Sequence, residues 1–488
     1  MKAIRWRCLF KQGLRIGLFG LISSPLALEF LAGDWPQFRG PQGSGVSETT
    51  GLPVQFGLHE NVMWKVSLPQ GHSSPVIIGR KLLLTGAEGR KLITLCLDRD
   101  SGKVLWRREA PRDRIEKYVE GFNTPASPTP VTDGESVYAF FGDFGLICYD
   151  LTGKERWRLP LGPFNNINGH GSSPVLVDDK LIMLCDQDTN AFLLAVDTKT
   201  GKCRWKAERP EVTRGYATPG IFRPKMGPAE LIVPGAYELI AYSADSGEKL
   251  WWVNGLSWQS KSVPLIAGEM IYVNSWETEG DQAQPRPDSL PSFERLLAEH
   301  DKNKDGKLSR QELPAVDDEE WEDRDLDKDN YLSSREWDYH RARKLSRNNL
   351  LAIRHGGRGD LTATNVVWRY SKSLPNVPSP LLYRGVLYLV RDGGIATSLD
   401  PLTGTVFKQQ RLRGALEQYY ASPVAADGKV FMLSQGGRLS VLKAGPSWEV
   451  LAVNDMEDEC FATPAIADGR IYVRTRSTLY CFGKRDGR

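Results

Sequence analysis

The chain has 488 residues, 41% apolar and 25% charged, with a formal net charge of only +3. Those proportions describe an ordinary globular protein and exclude a disordered or collagen-like chain. They offer no strongly basic face, so nucleic acid is not expected as a partner.

The first 33 residues read as an export signal. Lys2, Arg5, Arg7, Lys11 and Arg15 form a basic leader, residues 16–28 are apolar, and Ala27 or Ala32 can precede a cleavage site. Thirteen apolar residues fall short of the roughly 20 that span a bilayer. No later segment is long enough for a transmembrane helix. The expectation is an exported protein of the periplasm or cell envelope.

From residue 34 onward one pattern recurs eight times. A Ser/Thr-Pro or Val-Pro step is followed by short apolar runs, a turn with Asp and Gly, and usually a Trp. The prolines are Pro75, Pro128, Pro174, Pro219, Pro264, Pro380, Pro423 and Pro464, at intervals of 53, 46, 45, 45, 116, 43 and 41 residues. A period in the forties with four strand-like runs per unit predicts an all-β, eight-bladed propeller. In the first unit the runs are 76–78, 81–86, 92–98 and 103–109. Turns at 98–102, 150–153, 197–201, 243–247 and 400–404 each end on a glycine that can take positive φ. Four residues after the first four of these glycines stand Trp106, Trp157, Trp205 and Trp251, placed to pack between blades.

Cys96, Cys148 and Cys481 share one repeat position with Ala195, Ala241, Ala352, Ser398 and Val441. Cysteine there reads as a small hydrophobe. Disulfides involving Cys185, Cys203 or Cys460 remain open.

The last unit supplies only three runs, and residues 61–67, with Trp64, supply the missing fourth strand. A ring closed by both termini leaves no free sheet edge. The fifth unit is interrupted by about seventy residues between its second and third strands. The domain plan is therefore signal 1–33, propeller 34–276, insertion 277–348 and propeller 349–483. Strand alternation puts the insertion on the face that carries the loops preceding each repeat, where it is expected to overhang the axial mouth.

Within the insertion, residues 281–345 hold 18 acids and 12 bases. Residues 301–312 (DKNKDGKLSRQE) place Asp301, Asn303, Asp305, Lys307, Ser309 and Glu312 at alternating ligand positions. Residues 325–336 (DLDKDNYLSSRE) do the same with Asp325, Asp327, Asp329, Tyr331, Ser333 and Glu336. Hard oxygen donors at that spacing, closed by a glutamate, suit Ca2+. Gly306 occupies the tight turn and Asn330 its counterpart. This part resembles an EF-hand pair, although only residues 313–324 separate the loops, which leaves their usual pairing open.

The propeller resembles the PQQ-like (pyrroloquinoline-quinone repeat) family. The residues carrying this are the D…TG…W blade ends, the Ser-Pro-Val starts at 74–76, 173–175 and 422–424, and the arm DWPQFRGPQGSGVS at 34–47. The resemblance implies either a quinoprotein alcohol dehydrogenase or a non-catalytic propeller such as BamB. Adjacent cysteines like those many such dehydrogenases set against the quinone are missing here, and their catalytic Asp and calcium-holding Glu and Asn find no match. PQQ is thus not expected, and a binding or scaffold protein is.

Function is sought in the loops before each repeat, because loops carry function on a rigid scaffold. These offer His72, Asn123, Asn165, Asn166, Asn168, His170, Arg214, Tyr216, Lys261, Tyr419 and Tyr420 as candidate ligand-binding groups. The Asn and Tyr content suits a polar small molecule, a glycan or a protein partner. His72 and His170 stand in matching loops, where they can serve as metal ligands, proton carriers or loop anchors.

Overall fold

A computed structural model describes residues 33–119, 121–278, 290–313 and 317–484. The expected signal at 1–33 lies almost wholly outside the described residues.

Eight sheets are arrayed as blades, seven of four strands and one of five. The first blade runs Val76–Ile78, Lys81–Glu88, Lys91–Asp98 and Val104–Ala110. The last contains Ala465–Ala467, Arg470–Arg474 and Thr478–Gly483, and its fourth strand is Val62–Ser67 from the other end of the chain. Trp64 lies opposite Cys481 in that antiparallel pair, so the ring closes as expected.

The blade-end pattern has a mechanical cause. Trp106 donates its indole N–H to Leu151 O in the next blade at 3.1 Å, Trp157 to Thr198 O at 2.8 Å, and Trp205 to Ala244 O at 3.0 Å. Trp64 and Trp368 do the same to Arg99 O and Pro401 O. Each ring lies across the turn glycine of the blade it reaches. At Gly153, Gly201 and Gly247, φ is 83°, 68° and 74°, and a Cβ would come within 2.7 Å of the indole. Glycine is required there both by the backbone and by the ring above it.

The small-residue position is explained by the same geometry. Cys96, Cys148, Ala195, Ala241 and Ala352 sit directly opposite the blade tryptophans, beside a bulge. Burial pushes the thiols of Cys96, Cys148 and Cys481 up to about 12, so they pack as apolar groups. Cys185 and Cys460 are buried free thiols.

The Ser/Thr of each repeat start forms a belt around the axis. The backbone N–H of Ser74 donates to Thr129 Oγ1, Thr129 to Ser173 Oγ, and Ser173 to Thr218 Oγ1. Val263 donates to Ser379 Oγ, Ser379 to Ser422 Oγ, Ser422 to Thr463 Oγ1, and Thr463 back to Ser74 Oγ. All seven distances are 2.9–3.0 Å. The belt corrects one boundary: the second repeat starts at Thr129-Pro130, ahead of strand Val131–Thr132, and not at Pro128. Two Ser/Thr-Pro steps in succession hid the true one. Only at Val263, which has no hydroxyl, does the belt break.

The arm that precedes the ring crosses its axis. Trp35 pairs with Ile77 of the first blade, and Val46 pairs with Ala425 of the seventh. Between them the buried Arg39 donates to Ser379 O and Pro380 O.

The insertion folds as helix Phe293–His300, a loop, a single 3-10 turn Arg310–Glu312, helix Asp318–Arg324, a second loop, and helix Ser334–Leu345. The two loops do pair, Leu308 with Leu332 and Ser309 with Tyr331. Shortening the exit of the first loop to one turn makes room for this within the short spacer. Leu296, Leu308, Trp321, Leu332 and Trp337 form its own small core.

Candidate functional site

A cavity of about 330 Å³ opens on the axis. Six of the residues expected there line it: His72, Asn123, Asn168, Tyr216, Lys261 and Tyr420. The seven belt residues line it too and are at most 5% exposed, whereas Val119 and Phe122 at the rim are 39% and 48% exposed. The belt therefore forms the deep end and the blade loops form the walls.

The walls are held by polar networks behind them. Arg112 pairs with Asp143 at 2.5 Å, and the Tyr118 hydroxyl donates to the same carboxylate at 2.8 Å, which fixes the loop bearing Val119, Phe122 and Asn123. Asn123 Nδ2 donates to Asn168 O. Asn168 Nδ2 donates to the Tyr216 hydroxyl at 2.7 Å, which in turn donates to Asn166 Oδ1 at 3.0 Å. One wall is aromatic: His72 stacks on Phe461 at 4.1 Å, and Tyr420 lies 5.1 Å from Phe461. Opposite chemistry comes from Lys261, which is partly buried and donates to Asn376 Oδ1 at 2.8 Å.

The other five candidates lie outside the lining. Tyr419 is buried and donates to Ala415 O. His170 is buried against Phe140 and Phe164, so it anchors its loop. Burial lowers both His72 and His170 to about 3, with nearby arginine charge adding to the effect, so each is neutral at ordinary pH. Asn166 braces Tyr216. Asn165 donates to Leu326 O of the insertion at 2.7 Å. Arg214 is buried in an ion pair with Asp188 and bridges to Asp323 of the insertion at 2.7 Å.

Those contacts place the insertion. It sits on the loops of the second to fourth blades, further held by Tyr339 to Pro210 O at 2.7 Å and by the Arg343 guanidinium 4.0 Å above the Trp258 ring. None of its described residues lines the cavity; its contacts are with the blade loops that carry lining residues.

In both insertion loops backbone N–H groups turn inward onto carboxylates. Asp301 accepts from Lys304 and Gly306, and Glu312 from Lys302 and Ser309. Asp325 accepts from Asn330, and Glu336 from Leu326 and Ser333. Gly306 and Asn330 have φ of 75° and 71°, so asparagine adopts the left-handed turn that glycine makes in the first loop. Asn303 Nδ2 bonds to Asp305 at 3.0 Å, Asp327 and Asp329 accept within their loop, and the Lys307 ammonium lies over the Tyr331 ring. Among the described residues, one acid group gathers ligand atoms within 4.8 Å of one another: Asp325, Asp327 and Glu336. Burial raises Asp325 and Glu336, whereas hydrogen bonds from Ser309 lower Glu312.

Sequence reasoning missed Asn376, Val119 and Phe461. Asn376 sits in the loop 371–378 just ahead of the sixth repeat, the same position that singled out Lys261. Among the described residues no Asp, Glu or Cys lines the cavity, so its donors do not fit a calcium-held quinone with a carboxylate base. No described helix is long and apolar enough to cross a membrane.

Comparison with known proteins agrees with this architecture. The family model described as outer membrane protein assembly factor BamB matches residues 59–218 and 338–488. A search of curated proteins returns no significant match. The solved BamB of Moraxella catarrhalis is 11% identical with a TM-score of 0.55, the match covering 88% of this chain and 98% of that one. The quinohemoprotein alcohol dehydrogenase of Comamonas testosteroni is 12% identical with a TM-score of 0.60, covering 93% and 82%. A europium-containing methanol dehydrogenase is 11% identical with a TM-score of 0.58, covering 93% and 98%. At such identities the shared property is the fold. With eight closed blades and a family model spanning more than half its length, the chain belongs to the PQQ-repeat, BamB-like β-propeller family.

Proposed function

We propose that this is an exported, non-catalytic binding propeller of the cell envelope, with Ca2+ held in the two insertion loops and a polar ligand or partner group in the axial cavity. The observation that carries the reading is the joint between the two parts. Asn165 and Arg214 grip the insertion at Leu326 and Asp323, while Asn168 and Tyr216 on the same two blade loops wall the cavity. Calcium in loop 325–336 would neutralise Asp325, Asp327 and Glu336 and stiffen the segment that those two residues grip.

The cavity supports binding more than catalysis. Its histidine is neutral and stacked, and among the described residues no nucleophile with an adjacent base and orienting group stands in it. Scaffold use fits the same surface, since propeller loops gathered at one face can take a protein segment.

Calcium titration of the full chain by calorimetry tests the reading. The expected outcome is saturable binding that Glu336→Gln weakens by at least tenfold, with dissociation constants of roughly 10⁻⁵–10⁻³ M, in the range of sensor and extracellular EF-type sites. Absence of calcium uptake at millimolar concentration contradicts it.

A further inference from the structure

The belt hydroxyls have a property that their structural role leaves unused. A serine or threonine hydroxyl is one donor as well as an acceptor. Each of the seven accepts a backbone N–H from the neighbouring blade, and among the described residues none donates its own proton to a protein acceptor. Seven O–H donors therefore converge on the deep end of one cavity while at most 5% exposed.

The rest of the lining strengthens the imbalance. Among the described residues Lys261 has no carboxylate within ion-pair distance, and Asn376 Oδ1 is its one acceptor. Burial lowers its ammonium to about 8, with Glu277 and Asp392 opposing that shift from a distance. The cavity is rich in donors, carries one unpaired cation and has no acid in its lining. Burying donors and a charge without partners is costly, so the complement is a ligand rich in acceptor oxygens and negatively charged. The His72, Phe461 and Tyr420 wall asks in addition for a flat apolar body.

We infer that the axial cavity is a binding site for a small aromatic carboxylate, with Lys261 and the belt hydroxyls holding the carboxylate and the His72–Phe461–Tyr420 wall holding the ring. A volume of about 330 Å³ suits a one- or two-ring molecule. The inference rests on reading the cavity as a ligand site. It is independent of calcium uptake, which is measured separately.

The test uses the full chain and 19F NMR with 4-fluorobenzoate, neutral 4-fluorobenzyl alcohol as the uncharged probe, and inorganic phosphate as a competitor. The expected result is at least tenfold tighter binding of the carboxylate than of the alcohol, lost in Lys261→Met and retained in Lys261→Arg, with melting temperatures of both variants at or above wild type. Phosphate at equal concentration should displace the probe poorly. Equal binding of acid and alcohol overturns the inference, as does discrimination that survives Lys261→Met. Failure of the carboxylate to bind the wild type also overturns it, as does displacement by phosphate as effective as by unlabelled benzoate, which would leave only a general anion site.

Discussion

Five of the joints between blades and the seam between the fourth and fifth follow different rules. At a regular joint the indole of one blade covers the turn glycine of the next, and a belt hydroxyl accepts the N–H before it. At the seam Trp251 turns back to Glu230 at 2.9 Å, Val263 breaks the belt, and Gly359–Asp360 adds a fifth, parallel strand to the fourth blade. The insertion and Lys261 occur there as well. Five regular joints supply rigidity, and the departure from the repeat gathers the groups that have chemistry to offer.

Alanine substitutions at two glycines probe that contrast most strongly. Gly247→Ala puts a methyl 2.6 Å from the Trp205 ring on a left-handed backbone. Strain and overpacking together predict a loss of about 3 kcal/mol in denaturant unfolding. At the seam, Gly359 has φ of 76° but open space around its Cβ position, so Gly359→Ala should cost about 1 kcal/mol. Equal costs would mean that the indole-over-glycine contact does not distinguish the joints.

Restoring the belt at the seam should have a smaller effect. Val263→Thr offers a hydroxyl to the Thr218 N–H, the one link that the belt lacks. The variant should lie within about 0.5 kcal/mol of wild type, whereas Val424→Thr, in an inner strand with no such donor waiting, should lose about 1–3 kcal/mol.

pH sharpens the role of Lys261. With its ammonium held near 8, the native state binds fewer protons than the unfolded chain between about pH 8 and 10.5, so this group makes stability rise with pH across that window. Carboxylate affinity should move the other way: level below pH 7, then falling up to tenfold per unit above about 8. His72 is neutral throughout this range, and the hydroxyls of Tyr216 and Tyr420 are raised by burial, so these cavity groups add no change of charge there.

Much of this was readable in the chain. The turn glycines and tryptophans carry the repeat because one residue type alone satisfies each joint, and Val62–Ser67 was needed simply to complete the eighth blade. Lys261, His72, Asn168 and Tyr216 were found from their place ahead of the repeat starts. What stayed hidden depends on contacts distant in sequence. Nothing near Asn165 or Arg214 signals that their partners lie more than 100 residues away in the insertion. The belt was visible as Ser/Thr-Pro steps, yet its hydrogen bonds run between blades, so its purpose became clear only with the ring closed.

The account's central claim is that the insertion and the cavity wall act as one unit joined at Asn165 and Arg214. Hydrogen–deuterium exchange with calcium and with chelator measures this most directly. The prediction is increased protection in calcium over residues 325–336 and also over 163–170 and 212–218, with the strands of the sixth to eighth blades unchanged. Protection confined to the insertion would contradict the claim.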